Sequence, residues 1–188
     1  GVIFTGSTET AKNINRNLQK NETIVPLVAE TGGQNAMIVD SSALGEQVVA
    51  DVLNSAFDSA GQRCSALRVL YLQRDVADHI LTMLKGAMAE LKVGRPQNLN
   101  TDVGPVIDKV AQTRLLNHIA EIKKVAKSCY QVPIDAEIER TGIFVPPTVL
   151  EIDNISQLKH EVFGPVLHVI RFDADRLPQI MADINSTG

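Results

Sequence analysis

Short apolar β-type runs alternate with helical stripes along most of this chain, and no other feature restricts the fold as strongly. The β-type runs cover residues 2–5, 23–29, 35–40, 67–72 and 166–172. Between several of them, apolar residues recur at helical spacing, as over residues 44–56. Continuous apolar strands are typical of parallel sheets, because helices cover both faces. We therefore predict an α/β fold with a mostly parallel sheet flanked by helices.

Side chains suited to capping stand before the predicted helices. Ser7 or Thr8 precedes the first helix, and the pair Ser41-Ser42 precedes the second. Asp75 and Asp108 are expected to cap the two that follow, because short polar side chains accept hydrogen bonds from free N–H groups at a helix start. The polar stretch 128–142 is predicted as a loop with a short strand.

Charge and cysteine content exclude several classes of protein. The 18 basic and 22 acidic residues give a net charge of −4, which argues against nucleic acid as the main partner. Two cysteines, Cys64 and Cys129, make no disulfide framework, so a reducing and cytoplasmic location is expected. The four histidines lack paired metal-ligand spacing, and no metal site is predicted. No apolar run reaches the length of a membrane span.

The segment AFDSAGQRCSA, residues 56–66, holds the main candidate for chemistry. Cys64 follows a Gly-Gln-Arg turn at the end of an apolar-striped segment. Gly61 and Ser65 are small and leave room for a substrate, and Arg63 could favour a thiolate. The alternative is a cysteine that only fills the core.

Three other turns could hold ligands. Gly6-Ser7 leads into a helix start, where free N–H groups and the helix dipole favour a phosphate; a simple turn and cap is the alternative. Glu30 precedes two glycines and could activate a water if its loop meets the Cys64 loop at one sheet edge; otherwise it is an exposed acid. The turn at residues 161–165 offers a carboxylate for ribose hydroxyls and an aromatic ring, or is purely structural.

Four motifs in this order and at these separations resemble the aldehyde dehydrogenase superfamily. They are FTGS at residues 4–7, ETGG at 30–33, GQRC at 61–64 and EVFGP at 161–165. The longer stretches ETGGQNAMIVDSSAL and DSAGQRCSALRVL are similar to the aldehyde dehydrogenase module of the bifunctional proline utilisation A family. Members of that family oxidise L-glutamate γ-semialdehyde to glutamate with NAD, so the resemblance implies this activity.

The resemblance also implies catalytic roles. Cys64 would attack the aldehyde and form a thiohemiacetal, then a thioester, and Glu30 would activate the hydrolytic water. Ser65 would help to hold the substrate carboxylate. The Cys64 N–H would stabilise the oxyanion together with an asparagine that precedes this sequence in the family.

For the NAD cofactor, the resemblance implies five binding residues. Gly6 and Ser7 would lie by the pyrophosphate, Glu161 would hold the nicotinamide ribose, and Phe163 would pack near the nicotinamide. Gly32 is expected to approach the cofactor through its backbone. FAD is expected only in a proline dehydrogenase domain outside this chain.

By the same resemblance, residues 1–33 are predicted to be the last strand–helix–strand piece of a Rossmann-like NAD-binding domain. Residues 34–188 are predicted to be a catalytic domain truncated at its C-terminal end. We expect the chain alone to bind NAD weakly and to be inactive, and a parent protein that forms a homo-oligomer. Two alternatives remain: a dehydrogenase for another small aldehyde, and a non-catalytic folding or interaction fragment.

Overall fold

A computed structural model describes residues 1–187. The chain divides into two compact units, Gly1–Gly33 and Gln34–Gly188. Gly188, the last residue of the predicted catalytic domain, lies outside the described residues. The assignment of these units as an NAD-binding remnant and a catalytic domain stays a prediction.

The first unit is a strand–helix–strand unit, as predicted. Strand β1 (Val2–Thr5) pairs in parallel with β2 (Leu27–Glu30), and helix α1 (Thr8–Leu18) connects them. The β2 strand begins four residues later than predicted (27 against 23). Pro26 has no N–H to donate to a ladder, and its carbonyl instead accepts a 2.8 Å hydrogen bond from Val2.

The second unit is built on a five-stranded sheet. The strands are β3 (Ala36–Val39), β4 (Val69–Gln73), β5 (Ser128–Gln131), β6 (Thr148–Glu151) and β7 (Val166–Phe172). Their order in the sheet is β3-β4-β7-β6-β5. Strand β5 runs antiparallel to β6, and the other neighbouring strands pair in parallel. The helices are α2 (Gly45–Phe57), α3 (Arg74–Ala89), α4 (Lys109–Ile122), α5 (Ala136–Thr141) and α6 (Leu177–Asn185).

The core lies around the central strands of this sheet. Every residue of β4 and β6 is buried, as is every residue of β7 except Arg171. Helices α2 and α3 pack against each other and against the sheet, contributing the buried side chains of Val52, Ile80 and Leu84. Burial on both faces explains the continuous apolar sequence of these strands. Among the described helices, none combines the length and the apolar character needed to cross a membrane.

Two of the predicted caps are wrong. Helix α2 begins at Gly45, because Asp40 accepts hydrogen bonds from the N–H and the hydroxyl of Ser42 and holds that residue in a turn. Helix α3 follows β4 directly at Arg74, so Asp75 lies in its first turn and accepts a 2.9 Å hydrogen bond from Gln73 Nε2. Ser7 and Asp108 cap α1 and α4 as predicted.

The polar stretch 128–142 contains a helix that the sequence did not reveal. Asp135 accepts a 2.7 Å hydrogen bond from the N–H of Glu137 and caps α5. With six residues, this helix is too short for an amphipathic repeat to identify it.

Candidate active site

Three loops of the second unit lie at one edge of the sheet. The strands β3, β4 and β7 are consecutive parallel neighbours, so the segments that precede them meet at the amino-terminal edge. These segments contain Asn35, Cys64 and the turn at residues 161–165. Parallel pairing therefore brings two of the four sequence motifs together.

Cys64 occupies the corner of a tight turn. The Ala66 N–H donates a 3.1 Å hydrogen bond to the Arg63 carbonyl, which leaves Cys64 and Ser65 as the two central residues. Both residues are exposed, and the cysteine is a free thiol. Within the described part of the chain, the Cys64 N–H donates no hydrogen bond. The alternative of a core-filling cysteine is wrong, since the turn presents the thiol to solvent.

The Asn35 side chain fixes the backbone on both sides of this corner. Its Nδ2 donates hydrogen bonds of 2.6 Å to the Cys64 carbonyl and 2.9 Å to the Ala66 carbonyl. Its own carbonyl accepts 3.0 Å hydrogen bonds from the N–H groups of Arg68 and Val69. Sequence reasoning missed this residue, because an asparagine before a strand is an ordinary turn residue.

The segment before the thiol has an unusual backbone. Ser59, Ala60 and Gly61 are left-handed, with φ of 55°, 53° and 63°. For residues with a Cβ this conformation costs about 1–2 kcal/mol each. A Cβ on Gly61 would overlap the Gly164 carbonyl oxygen and lie 2.8 Å from the Ala56 carbonyl oxygen. Only glycine therefore allows the Cys64 segment to approach the turn at residues 161–165 so closely.

A buried arginine lies beneath both segments. Arg68 is 0% exposed, and its Nη1 donates hydrogen bonds to the carbonyls of Gly61 (2.6 Å) and Gly164 (3.3 Å). Its Nη2 donates to the Arg63 carbonyl (3.0 Å) and to Glu161 Oε1 (3.2 Å). Burial lowers the pKa of Arg68, and the nearby carboxylate of Glu161 opposes that shift. Sequence reasoning missed Arg68; the one available signal was a cation inside the apolar stretch 66–72.

Glu161 and Phe163 flank this arginine. The Glu161 side chain is 22% exposed and contacts Arg68 through Oε1, and among the described residues its Oε2 has no hydrogen-bond partner. The ring centroid of Phe163 lies 5.1 Å from Arg68 Cζ. Because Phe163 is 44% exposed, a flat apolar surface and a carboxylate oxygen are both available to a ligand.

Two histidines extend the network from Arg68 into α4. His168 is fully buried. Its backbone N–H donates a 2.9 Å hydrogen bond to the Arg68 carbonyl oxygen, and its ring Nδ1 lies 3.2 Å from the same oxygen. A carbonyl only accepts, so Nδ1 carries the proton and Nε2 accepts from His118 Nε2 at 2.9 Å. Burial first, and then the neighbouring His118, lowers the pKa of His168 to about 3.

The first unit contains the remaining predicted site residues. Ser7 Oγ accepts a 3.2 Å hydrogen bond from the Thr10 N–H and caps α1. The Gly6 N–H donates a 3.1 Å hydrogen bond to the carbonyl of Glu30, which is exposed at the end of β2. Gly32 is half-buried in the segment after β2.

One sequence argument about Glu30 is wrong. Glu30 ends β2 in the two-stranded sheet, whereas Cys64 precedes β4 in the five-stranded sheet. The two loops therefore share no sheet edge, because residues 27–30 and 69–73 belong to different sheets. The catalytic role of Glu30 stays a prediction.

Comparison with known proteins identifies the family. The sequence profile of the aldehyde dehydrogenase family matches residues 1–188. The bifunctional protein PutA of Klebsiella aerogenes is 55% identical over 196 residues, which cover 100% of this chain and 15% of that protein. A crystal structure of proline utilization A (PutA) from Bradyrhizobium japonicum has a TM-score of 0.95 and 51% identity, covering 100% of this chain and 19% of its own.

A more distant neighbour contains a cofactor. A betaine aldehyde dehydrogenase of Staphylococcus aureus, in complex with NAD+ and with a BME-modified cysteine, has a TM-score of 0.83 and 29% identity. This match covers 93% of the chain and 36% of that protein. The chain thus spans between 15% and 36% of the length of these three relatives. The profile match over the whole sequence shows that this chain belongs to the aldehyde dehydrogenase family.

Proposed function

We propose that this chain provides the catalytic thiol of an NAD-dependent dehydrogenase that oxidises L-glutamate γ-semialdehyde to L-glutamate. The observation that carries the proposal is the exposed free thiol of Cys64 at the corner of a turn, where the Cys64 backbone N–H donates no hydrogen bond within the described residues. The likeness to PutA proteins over the full chain supports the choice of substrate.

In the proposed reaction the Cys64 thiolate attacks the aldehyde carbon and forms a thiohemiacetal. The aldehyde oxygen becomes an oxyanion, to which the Cys64 N–H donates a hydrogen bond. NAD, when held by the predicted binding residues, would supply the hydride acceptor, and Cys64 would then carry a thioester. Glu30 removes a proton from a water, which attacks the thioester carbon and releases the carboxylate product and the thiol. The exposed hydroxyl of Ser65 is available to the substrate carboxylate.

The residues predicted to bind NAD have features that suit this cofactor. Gly6 and Ser7 are exposed at the start of an 11-residue helix, whose free N–H groups favour a pyrophosphate. The open carboxylate oxygen of Glu161 suits a ribose hydroxyl, and the exposed ring of Phe163 suits a flat nicotinamide. The half-buried Gly32 has no side chain to hinder a cofactor.

The test is NAD reduction by the complete protein that carries this sequence. Cys64→Ala removes the nucleophile, so we expect no NADH formation with L-glutamate γ-semialdehyde. Cys129→Ala is the matched control, because Cys129 lies half-buried on β5, away from the turn. Steady turnover in Cys64→Ala would refute the role of this thiol, and a faster reaction of the wild type with other small aldehydes would refute the substrate.

The remaining sequence predictions belong to the same proposal. They are weak NAD binding and little or no dehydrogenase activity of the chain alone, a homo-oligomeric and cytoplasmic parent protein, and FAD only in a proline dehydrogenase domain elsewhere in that protein. Oxidation of the semialdehyde by the 188-residue chain at the rate of the complete protein would contradict the first.

A further inference from the structure

We propose that Arg68 is a positioning residue whose buried guanidinium aligns the Cys64 turn with the Glu161 carboxylate. The inference rests on the proposed function and goes beyond it, because Arg68 is neither the reacting thiol nor one of the residues predicted to contact the cofactor. It assigns the alignment of two predicted site residues to one cation.

The geometry gives Arg68 four acceptors on two segments. The acceptors are the carbonyls of Gly61 and Arg63 before Cys64, and the Gly164 carbonyl and Glu161 Oε1 in the other segment. The planar fork of a guanidinium can reach such divergent acceptors, whereas an ammonium is a single point. Both loops therefore take their position from the same rigid group.

The energetics argue against Arg68 as simple core filling. Removing a cation from water costs several kcal/mol, and an apolar side chain of similar volume fills a core at no such cost. The strained left-handed residues Ser59 and Ala60 lie directly before the Gly61 carbonyl that Arg68 holds. Strain of this kind persists only where the surroundings over-determine the backbone, which the arginine does here.

The contacts of Arg68 fix the orientation of the Glu161 carboxylate. Arg68 engages Oε1 and leaves Oε2 without a partner among the described residues. The same guanidinium lies 5.1 Å from the Phe163 ring centroid. Loss of the guanidinium frees the carboxylate to rotate, so we expect weaker NAD binding as well as a displaced thiol.

The experiment uses the complete protein and three variants, Arg68→Lys, Arg68→Met and Arg171→Met. The last is the matched control, because Arg171 is a largely buried cation on β7 that pairs with Glu151 and has no hydrogen bond to either loop. Iodoacetamide alkylation at fixed pH, followed by mass spectrometry of the Cys64 peptide, measures the reaction rate of the Cys64 thiol. Titration with NAD gives the dissociation constant.

We expect Arg68→Met to slow Cys64 alkylation and to raise the NAD dissociation constant by at least about tenfold each, because it removes all four hydrogen bonds of the guanidinium and a single charge-assisted hydrogen bond already corresponds to about that factor. Arg68→Lys keeps the charge but loses the fork, and we expect it to recover only part of both effects. Arg171→Met is expected to leave both values at wild-type level.

Two results would overturn the proposal: wild-type alkylation and NAD binding in folded Arg68→Lys, or equal losses in Arg171→Met. If Arg68→Met fails to fold, Arg68→Lys decides the outcome. Neither readout needs the semialdehyde, so a wild-type protein that fails to oxidise it would refute the proposed function without touching this inference.

Discussion

Substitution of Gly61 by alanine should be costly, and the structure gives the size of the effect. A left-handed backbone at φ of 63° costs an L-residue about 1–2 kcal/mol. The new Cβ would overlap the Gly164 carbonyl oxygen and lie 2.6 Å from its carbon, and overpacking of this kind costs about 1–3 kcal/mol. The free energy of unfolding should therefore fall by about 2–5 kcal/mol.

Gly86 offers a matched control for that substitution. It lies inside α3, and a Cβ there meets nothing within 4 Å. Gly86→Ala should raise the free energy of unfolding by about 0.5–1 kcal/mol, because alanine loses less backbone entropy in a helix. Urea unfolding of both variants, followed by circular dichroism, measures the two values. A Gly61→Ala variant as stable as Gly86→Ala would refute the close approach of the two loops.

Two further predictions concern titration and ion pairing. The pKa of His168 is about 3 in the folded protein and about 6.5 in the unfolded chain. Between pH ~3 and ~6.5 the unfolded chain therefore binds a proton at this residue that the folded protein does not. Stability present above pH ~6.5 should fall by up to about 1.4 kcal/mol per pH unit as the pH drops, and His168→Gln should flatten a plot of unfolding free energy against pH. Arg171→Met removes the cation beside the buried Glu151 carboxylate, which keeps a 3.2 Å hydrogen bond from Ser128 Oγ, and should cost about 3 kcal/mol. Arg74→Met removes only an exposed pair with Asp173 and should leave the urea midpoint unchanged.

Much of the fold follows from local sequence. The strands β4 and β7 are apolar at nearly every position, which predicts burial on both faces and hence a parallel sheet. Helix starts were less predictable. Ser42, expected to cap α2, is hydrogen-bonded to Asp40, and Asp75, expected to cap α3, accepts a hydrogen bond from Gln73. These hydrogen bonds depend on where the strands end, and a sequence pattern does not determine that position.

Several residues of the site could be predicted from the sequence, but their positions relative to one another could not. Cys64 and Glu161 were identified from motifs, but their shared edge depends on β7 lying beside β4, although they are far apart in sequence. Arg68 and Asn35 act through carbonyl oxygens of other segments. Backbone acceptors have no residue-specific signature, so their partners became evident only in three dimensions.

In the proposed reaction, Cys64 forms a thioester that Glu30 helps to hydrolyse. The most direct measurement is rapid-mixing detection of NADH in the complete protein with Glu30→Gln, which keeps the size of the side chain but removes the base. We expect a burst of NADH stoichiometric with active sites, followed by almost no steady rate. Undiminished steady turnover in Glu30→Gln would contradict the role of Glu30, and the absence of any burst would contradict a thioester on Cys64.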